Sequence, residues 1–358
     1  MPAAPTQQEA LATIAGHGVL PSRLQPIEVP ADLWADMRYD IGQNRLSGLA
    51  ISASNDGRLV LAEAAAAELA ALDAQWARRT LQAEDMLLEA HGSIADAGIE
   101  TRVLKGPALA ELAWSIPEAR RWVDADLLVR SVELEQAVRV LERLGYERRL
   151  TEVRPGFDRR FQKGVTMRSL SGEVDLHRTL ASPPFSLLID ETDLWDDPRS
   201  FAVEGIELAT VSATVAFLHA CIHAAVGGAQ RLVQLRDVLE TFRVVDQELA
   251  ASLVDRWRMR AVVASAAESA KSRLMIDDHP FLIWAEPIAQ AVERQDRLLV
   301  EAWDRADRRG LALASLRLIR RPSDKARFVL WRLWPSKTNR RSRGMSVSSS
   351  LHRLTRRW

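Results

Sequence analysis

Cysteine is almost missing. Cys221 stands alone among 358 residues, which excludes an intramolecular disulfide and a cysteine-built zinc cluster and fits a reducing, cytoplasmic compartment. Net charge is also missing: 48 basic residues balance 48 acidic ones, so no global field argues for a nucleic-acid or membrane partner. The N-terminus has neither the basic start nor the continuous apolar stretch of a signal peptide, so export is not expected. The most apolar window, 211–229, is interrupted by Ser212, Thr214, His219 and His223 and is followed by Arg231. It reads as a buried helix, and no membrane span is expected. No internal repeat is visible, and His-Glu-x-x-His is absent.

What is present is a core-building composition, 47% hydrophobic and 27% charged, enough for two or three modules. From Leu59 to Ala97 the chain is rich in Ala, Leu, Glu and Gln, with apolar residues at helical spacing and no proline. That predicts one long helix or two. A β-prone run from Ile99 to Leu104 ends at Lys105-Gly106-Pro107, where Gly106 can turn the chain and Pro107 suits the first turn of a helix over 108–114. A strand through Asp124-Ala125-Asp126, an amphipathic helix over 132–144 and strands over 147–153, 159–170 and 173–179 follow. Residues 214–301 read as mostly helical. From 317 onward the basic residues face a single acid, Asp324, and the segment after Pro335 reads as mobile.

The chemistry-bearing pattern is Asp124-Ala125-Asp126, with a third carboxylate at Asp175 in Glu173-Val174-Asp175-Leu176-His177. On a strand, residues two apart share a face, so Asp124 and Asp126 project together while Val123, Ala125 and Leu127 turn to the core. Two carboxylates about 4 Å apart repel by roughly 4 kcal/mol at an effective dielectric of about 20. Such a pair needs a cation or a proton, and magnesium suits it; the alternative is a solvated strand end.

Together, Val103-Leu104-Lys105-Gly106-Pro107-Ala108-Leu109-Ala110, Arg120, Asp124 to Val129, and Glu173 to His177 resemble the uncharacterised nucleotidyltransferase family of bacteria. Phe217 to His223 with Arg231 to Asp237 extends the resemblance, which covers roughly residues 80–240. It implies an α+β fold of the DNA polymerase beta type: a small mixed sheet with helices on one side, flanked by N-terminal helices and a C-terminal all-helical module. The expected divisions are 1–97 (N-terminal helical region), 98–210 (catalytic domain), 211–316 (helical domain) and 317–358 (basic, partly disordered tail).

The resemblance also implies transfer of a nucleoside monophosphate, AMP first among them, from a nucleoside triphosphate to a hydroxyl of a small molecule, peptide or protein. Asp124, Asp126 and Asp175 match its metal ligands, for Mg2+ or Mn2+. Lys105 and Gly106 stand where the wider superfamily carries Gly-Ser or Gly-Gly. A catalytically inactive scaffold that binds a peptide or partner protein is the alternative.

Lys105 and Gly106 are expected to hold phosphate, with Arg120 or Arg121 neutralising pyrophosphate; a snorkelling lysine and loop arginines are the other reading. His177 shares a strand face with Asp175 and is a candidate for positioning acceptor or metal. His219 and His223 share a helix face. They read as part of a polar network in which Asp237 bonds one imidazole and Arg231 faces the cleft. Trp122 reads as core. The basic tail admits nucleic acid as a secondary expectation.

Overall fold

The structure, a computed structural model, describes residues 6–20, 26–226 and 231–342. The N-terminal part holds α1 (Gln7–Gly16), β1 (Ile27–Glu28), α2 (Ala31–Gln43), α3 (Ser47–Asn55), β2 (Leu59–Val60) and α4 (Glu63–Asp96). The mixed part holds β3 (Arg102–Val103), α5 (Gly106–Leu112), β4 (Ala125–Leu128), α6 (Leu134–Arg143), β5 (Glu147–Arg148), α7 (Phe157–Phe161), β6 (Gly164–Arg168), β7 (Glu173–His177), β8 (Arg199–Val203) and β9 (Ile206–Thr210). Helices follow: α8 (Ala213–Val226), α9 (Leu232–Phe242), α10 (Gln247–Arg256), α11 (Arg260–Arg273), α12 (Pro280–Gln290), α13 (Arg294–Asp304), α14 (Arg308–Leu318), α15 (Pro322–Leu333) and α16 (Lys337–Ser342).

Of the one or two helices expected over 59–97 one forms, α4, of 34 residues, roughly 51 Å long at 1.5 Å per residue; it begins at Glu63 rather than Leu59, because Leu59 and Val60 pair with β1 as a strand. Its buried positions Ala83, Leu87, Ala90 and Ile94 recur every three or four residues, a stripe that faces the sheet. A seven-stranded sheet runs in the order β5-β6-β7-β4-β3-β9-β8. It is mixed: β4 is parallel to β7 and β3 to β9, while β3–β4, β5–β6, β6–β7 and β8–β9 are antiparallel. The α+β architecture is the one expected.

Alternation divides the two faces of the sheet. Ala125, Leu127, Val174 and Leu176 pack with Leu87, Ala90 and Ile94 of α4 and with Leu134, Ala137 and Leu141 of α6 in one apolar cluster. The opposite face carries Asp126, Leu128, Asp175 and His177, and Leu128 joins the second cluster with Phe217, Leu218 and Cys221 of α8. Burying a core side chain of this kind contributes about 1.5–3 kcal/mol. Helices therefore pack on both faces of the sheet, α4 and α6 on the side away from the carboxylates and α8 on the side that carries them.

Close backbone approach holds the site strands together. A Cβ at Gly164 would lie 1.9 Å from the Leu176 carbonyl oxygen, so only glycine fits opposite His177 in the β6–β7 pair.

Two expectations need correction, and one element was not expected. The strand expected from Arg159 starts instead at Gly164, because Phe157 and Phe161 form a short helix that buries both rings against Phe328 of α15. The hairpin β8–β9 carried no expectation. The basic segment from 317 onward is helical as far as Ser342, where Asn339 Nδ2 donates to the Thr151 carbonyl at 2.6 Å; residues 343–358 lie outside the described residues. No helix among the described residues is long and apolar enough to cross a membrane.

Candidate active site

In-register pairing builds the centre. Asp126 lies directly opposite Asp175 across the parallel β4–β7 ladder, and Leu128 lies opposite His177. The ligand atoms of Asp126, Asp175 and His177 come within 4.8 Å of one another. His177 Nε2 is 2.8 Å from Asp126 Oδ1, and its Nδ1 is 3.4 Å from the Thr179 carbonyl. Two carboxylates and an imidazole whose second nitrogen faces an acceptor form a donor set that fits a divalent cation.

The set differs from the expected three carboxylates. Asp124 precedes the first residue of β4, so no ladder hydrogen bond fixes it. It is 40% exposed, and its Oδ1 accepts from Arg45 Nη1 at 3.3 Å. Asp126 is 4% exposed. Asp175 accepts from Thr166 Oγ1, its cross-strand neighbour, and lies 3.8 Å from Lys163 Nζ.

Lys105 places Nζ 3.0 Å from Asp126 Oδ1. Its backbone, at φ +55 and ψ −141, occupies a region that a residue with a side chain rarely adopts and that costs of order 1–3 kcal/mol. That strain sits where β3 gives way to α5 and aims the ammonium at the carboxylates. Burial opposes the Asp126 charge, but the Lys105 ammonium and the His177 hydrogen bond win and hold its carboxyl well below the ordinary range. Burial likewise opposes the charge of Lys105, and Asp126 and Asp124 overcome it, raising the ammonium. Burial and then the Lys105 charge lower Lys163.

The arginines expected at pyrophosphate are already engaged. Arg120 donates through Nε and Nη2 to the two oxygens of Asp237, each at 2.9 Å, and through Nη1 to the Gly106 carbonyl at 2.9 Å. Arg121 donates to both oxygens of Asp73 at 2.9 and 2.8 Å. Asp237 therefore bonds Arg120 and Trp114 Nε1 rather than an imidazole, because a bidentate guanidinium is the stronger partner. His223 pairs with Gln234 at 3.1 Å instead, and the His219 ring stands 6.3 Å from that of His177. Arg231 donates to the Gln43 carbonyl at 3.1 Å. Trp122 is half-buried, against Gly106, rather than in the core.

Arg45, Lys163 and Thr166 had escaped notice in the sequence. The hairpin about Ser171 pairs 166 with 175, so Thr166 was reachable by register. Arg45 had no local signal.

Burial, then the Lys105 charge, pushes His219 and His223 well below the ordinary imidazole range. The unfolded chain therefore binds more protons than the folded one below about pH 6.5, so stability falls as the medium is acidified. We expect a progressive loss of stability from about pH 6.5 downward, with both histidines contributing. Urea midpoints at pH 7 and 5 check this, and His219→Gln with His223→Gln should flatten the slope. Asp126 contributes in the opposite order: its stabilisation is complete above about pH 4 and is lost only as pH falls through its depressed folded value.

No curated protein matches the chain. A solved structure described as an antigenic nucleotidyltransferase-like protein from Paracoccidioides brasiliensis is similar over 52% of this chain and 91% of that one, at 14% identity and a TM-score of 0.30. The family model described as uncharacterised nucleotidyltransferase matches residues 34–274, taking in β3, the Lys105 turn, β4, β7 and α8–α11. With more than half of its length matched, this chain belongs to the uncharacterised nucleotidyltransferase family.

Proposed function

We propose that the chain transfers a nucleoside monophosphate, AMP first among the candidates, from a nucleoside triphosphate to a hydroxyl of a small molecule, peptide or protein. The observation that carries this reading is the convergence of Asp126, Asp175 and His177 within 4.8 Å on one sheet face, in a chain of this family. Asp126, Asp175 and His177 would hold a divalent ion, Mg2+ or Mn2+, with the imidazole tilting the set toward Mn2+; Asp124 stands beside them as a further oxygen donor. A bound ion there supplies charge neutralisation for the triphosphate and a lowered pKa for the acceptor hydroxyl.

The protein's own groups then do the rest. Asp175, part-exposed and steadied by Thr166, takes the acceptor proton. The acceptor oxygen forms a bond to the α-phosphorus as the bond to the β-phosphate bridging oxygen breaks, and pyrophosphate leaves with that electron pair. Lys105, at the turn before α5, offsets charge on the phosphoryl oxygens.

The test is incubation with Mg2+ or Mn2+, each labelled triphosphate and a panel of hydroxyl-bearing acceptors. Mass spectrometry should show an added nucleoside monophosphate with equimolar pyrophosphate. Absence of triphosphate turnover across the panel would instead favour a scaffold without catalysis. One observation supports that second reading: Lys105 and Arg45 already neutralise Asp126 and Asp124.

A further inference from the structure

The turn between α2 and α3 reaches the edge of the carboxylate site from outside the mixed part of the chain. It is bolted to the start of α9. Leu232 N–H donates to Asn44 Oδ1 at 3.0 Å, and Arg231 Nε donates to the Gln43 carbonyl at 3.1 Å. Arg45, next in the turn, adopts a left-handed φ of +56 and points its guanidinium at Asp124, with Nη1 3.3 Å from Oδ1. Its Nε is buried and has no hydrogen-bond partner. A buried donor left unmet is costly, and its presence in a strained residue at the edge of a site points to a ligand.

Arg231 belongs to the same group. Burial, then the nearby positive charge of Arg45, lowers its guanidinium below the ordinary range, and Asp124 acts in the opposite sense. Only Arg45 bonds Asp124, while Arg231 is held on the same turn through the Gln43 carbonyl. Asp124 offers less negative charge than the pair can take, and it is the most exposed of the three acids. The arginines nearest in sequence to Asp124 cannot serve, since Arg120 and Arg121 are saturated by Asp237 and Asp73.

We propose that Arg45 and Arg231 form a polyphosphate-binding site, which takes the outer phosphates of the triphosphate while the neighbouring carboxylates act at its α-phosphorus. The identity of the natural ligand rests on the transfer reading above; the anion site itself does not. Planar guanidiniums suit this work because each can bind phosphate oxygens with two parallel N–H donors. Asp124 is then a placeholder that occupies Arg45 until phosphate arrives. Because Arg45 comes from the N-terminal helices and Arg231 from the first residue before α9, a bound polyphosphate ties both to the mixed sheet.

Calorimetry with inorganic tripolyphosphate in metal-free buffer tests this on the full chain. The wild type should bind, Arg45→Gln and Arg231→Gln should each weaken binding by at least about tenfold, and both should lower the slope of affinity against salt. Arg45→Lys, which keeps the charge, should give an intermediate loss and guards against a folding defect in the glutamine variant. Asp124→Asn should tighten binding several-fold by releasing Arg45, an effect that a purely structural arginine would not show. Failure of the wild type to bind tripolyphosphate, or equal affinity in the wild type and both glutamine variants, overturns the site. The two readings separate cleanly: tripolyphosphate binding in this pattern without any transfer activity keeps the site and removes the enzyme. Transfer with an unchanged triphosphate KM in both variants keeps the enzyme and removes the site.

Discussion

Asp126→Asn is expected to lower nucleotidyl transfer by about a thousandfold or more, which corresponds to roughly 4 kcal/mol of transition-state stabilisation. The carboxylate is the hub of the site, in contact with both Lys105 and His177. Asparagine keeps the size and one oxygen but removes the charge that any bound cation would need. The same change leaves the Lys105 ammonium, 13% exposed, without its nearest counter-charge, so some stability is lost as well. Asp175→Asn separates the two effects, because Asp175 is part-exposed and its loss should spare the fold. Steady-state kinetics paired with thermal unfolding of both variants makes the check. Retained turnover in Asp126→Asn would remove this carboxylate from the chemistry.

The largest effect on stability is expected from Arg120→Ala. Arg120 and Asp237 are 6% and 4% exposed and meet through two hydrogen bonds of 2.9 Å. Deleting one partner of a buried pair typically costs about 3–5 kcal/mol, because the other charge stays buried alone. Here the Gly106 carbonyl and Trp114 stacking are lost as well; the guanidinium lies 5.6 Å from the indole centroid. A fall in Tm of several degrees follows. Combining Arg120→Ala with Asp237→Ala should recover part of the loss, since no unpaired charge remains. Little change in Tm for the single variant would place Arg120 outside the structural network and return it to the phosphate.

These two residues show what the sequence could and could not convey. Asp126 was legible because its signal is local: period-two alternation in β4 and again in β7 puts the acids on one face, and the long Ala-rich α4 follows from composition alone. The pairing of Asp126 with Asp175 needed strand order, although the hairpin pattern made it reachable. Arg120 was misleading. An arginine four residues before Asp124 looks like a phosphate ligand, and the carboxylate that engages it lies 117 residues further on. Phe157–Phe161 failed for the same reason, since a β-prone stretch becomes helical only when α15 supplies Phe328 and Trp331 to pack on it. Arg45 sits in the short turn between α2 and α3, and no motif in the sequence around it marks its left-handed backbone or its reach to Asp124. Local pattern thus reports faces and elements, whereas the identity of a charge's partner is a tertiary fact.

Arg236 has a consequence for how the chain is made. Its guanidinium is completely enclosed, pairs with Glu240, and reaches back to the carbonyl oxygens of Ala15 and His17 in the N-terminal stretch. The bond to Ala15 spans 221 positions. At about 5–20 residues per second, a ribosome needs roughly 10–45 s between producing its two ends. During that interval α1 can pack only on α2 and α3, so the part of it that meets α9 stays uncovered on the nascent chain until the segment bearing Arg236 emerges.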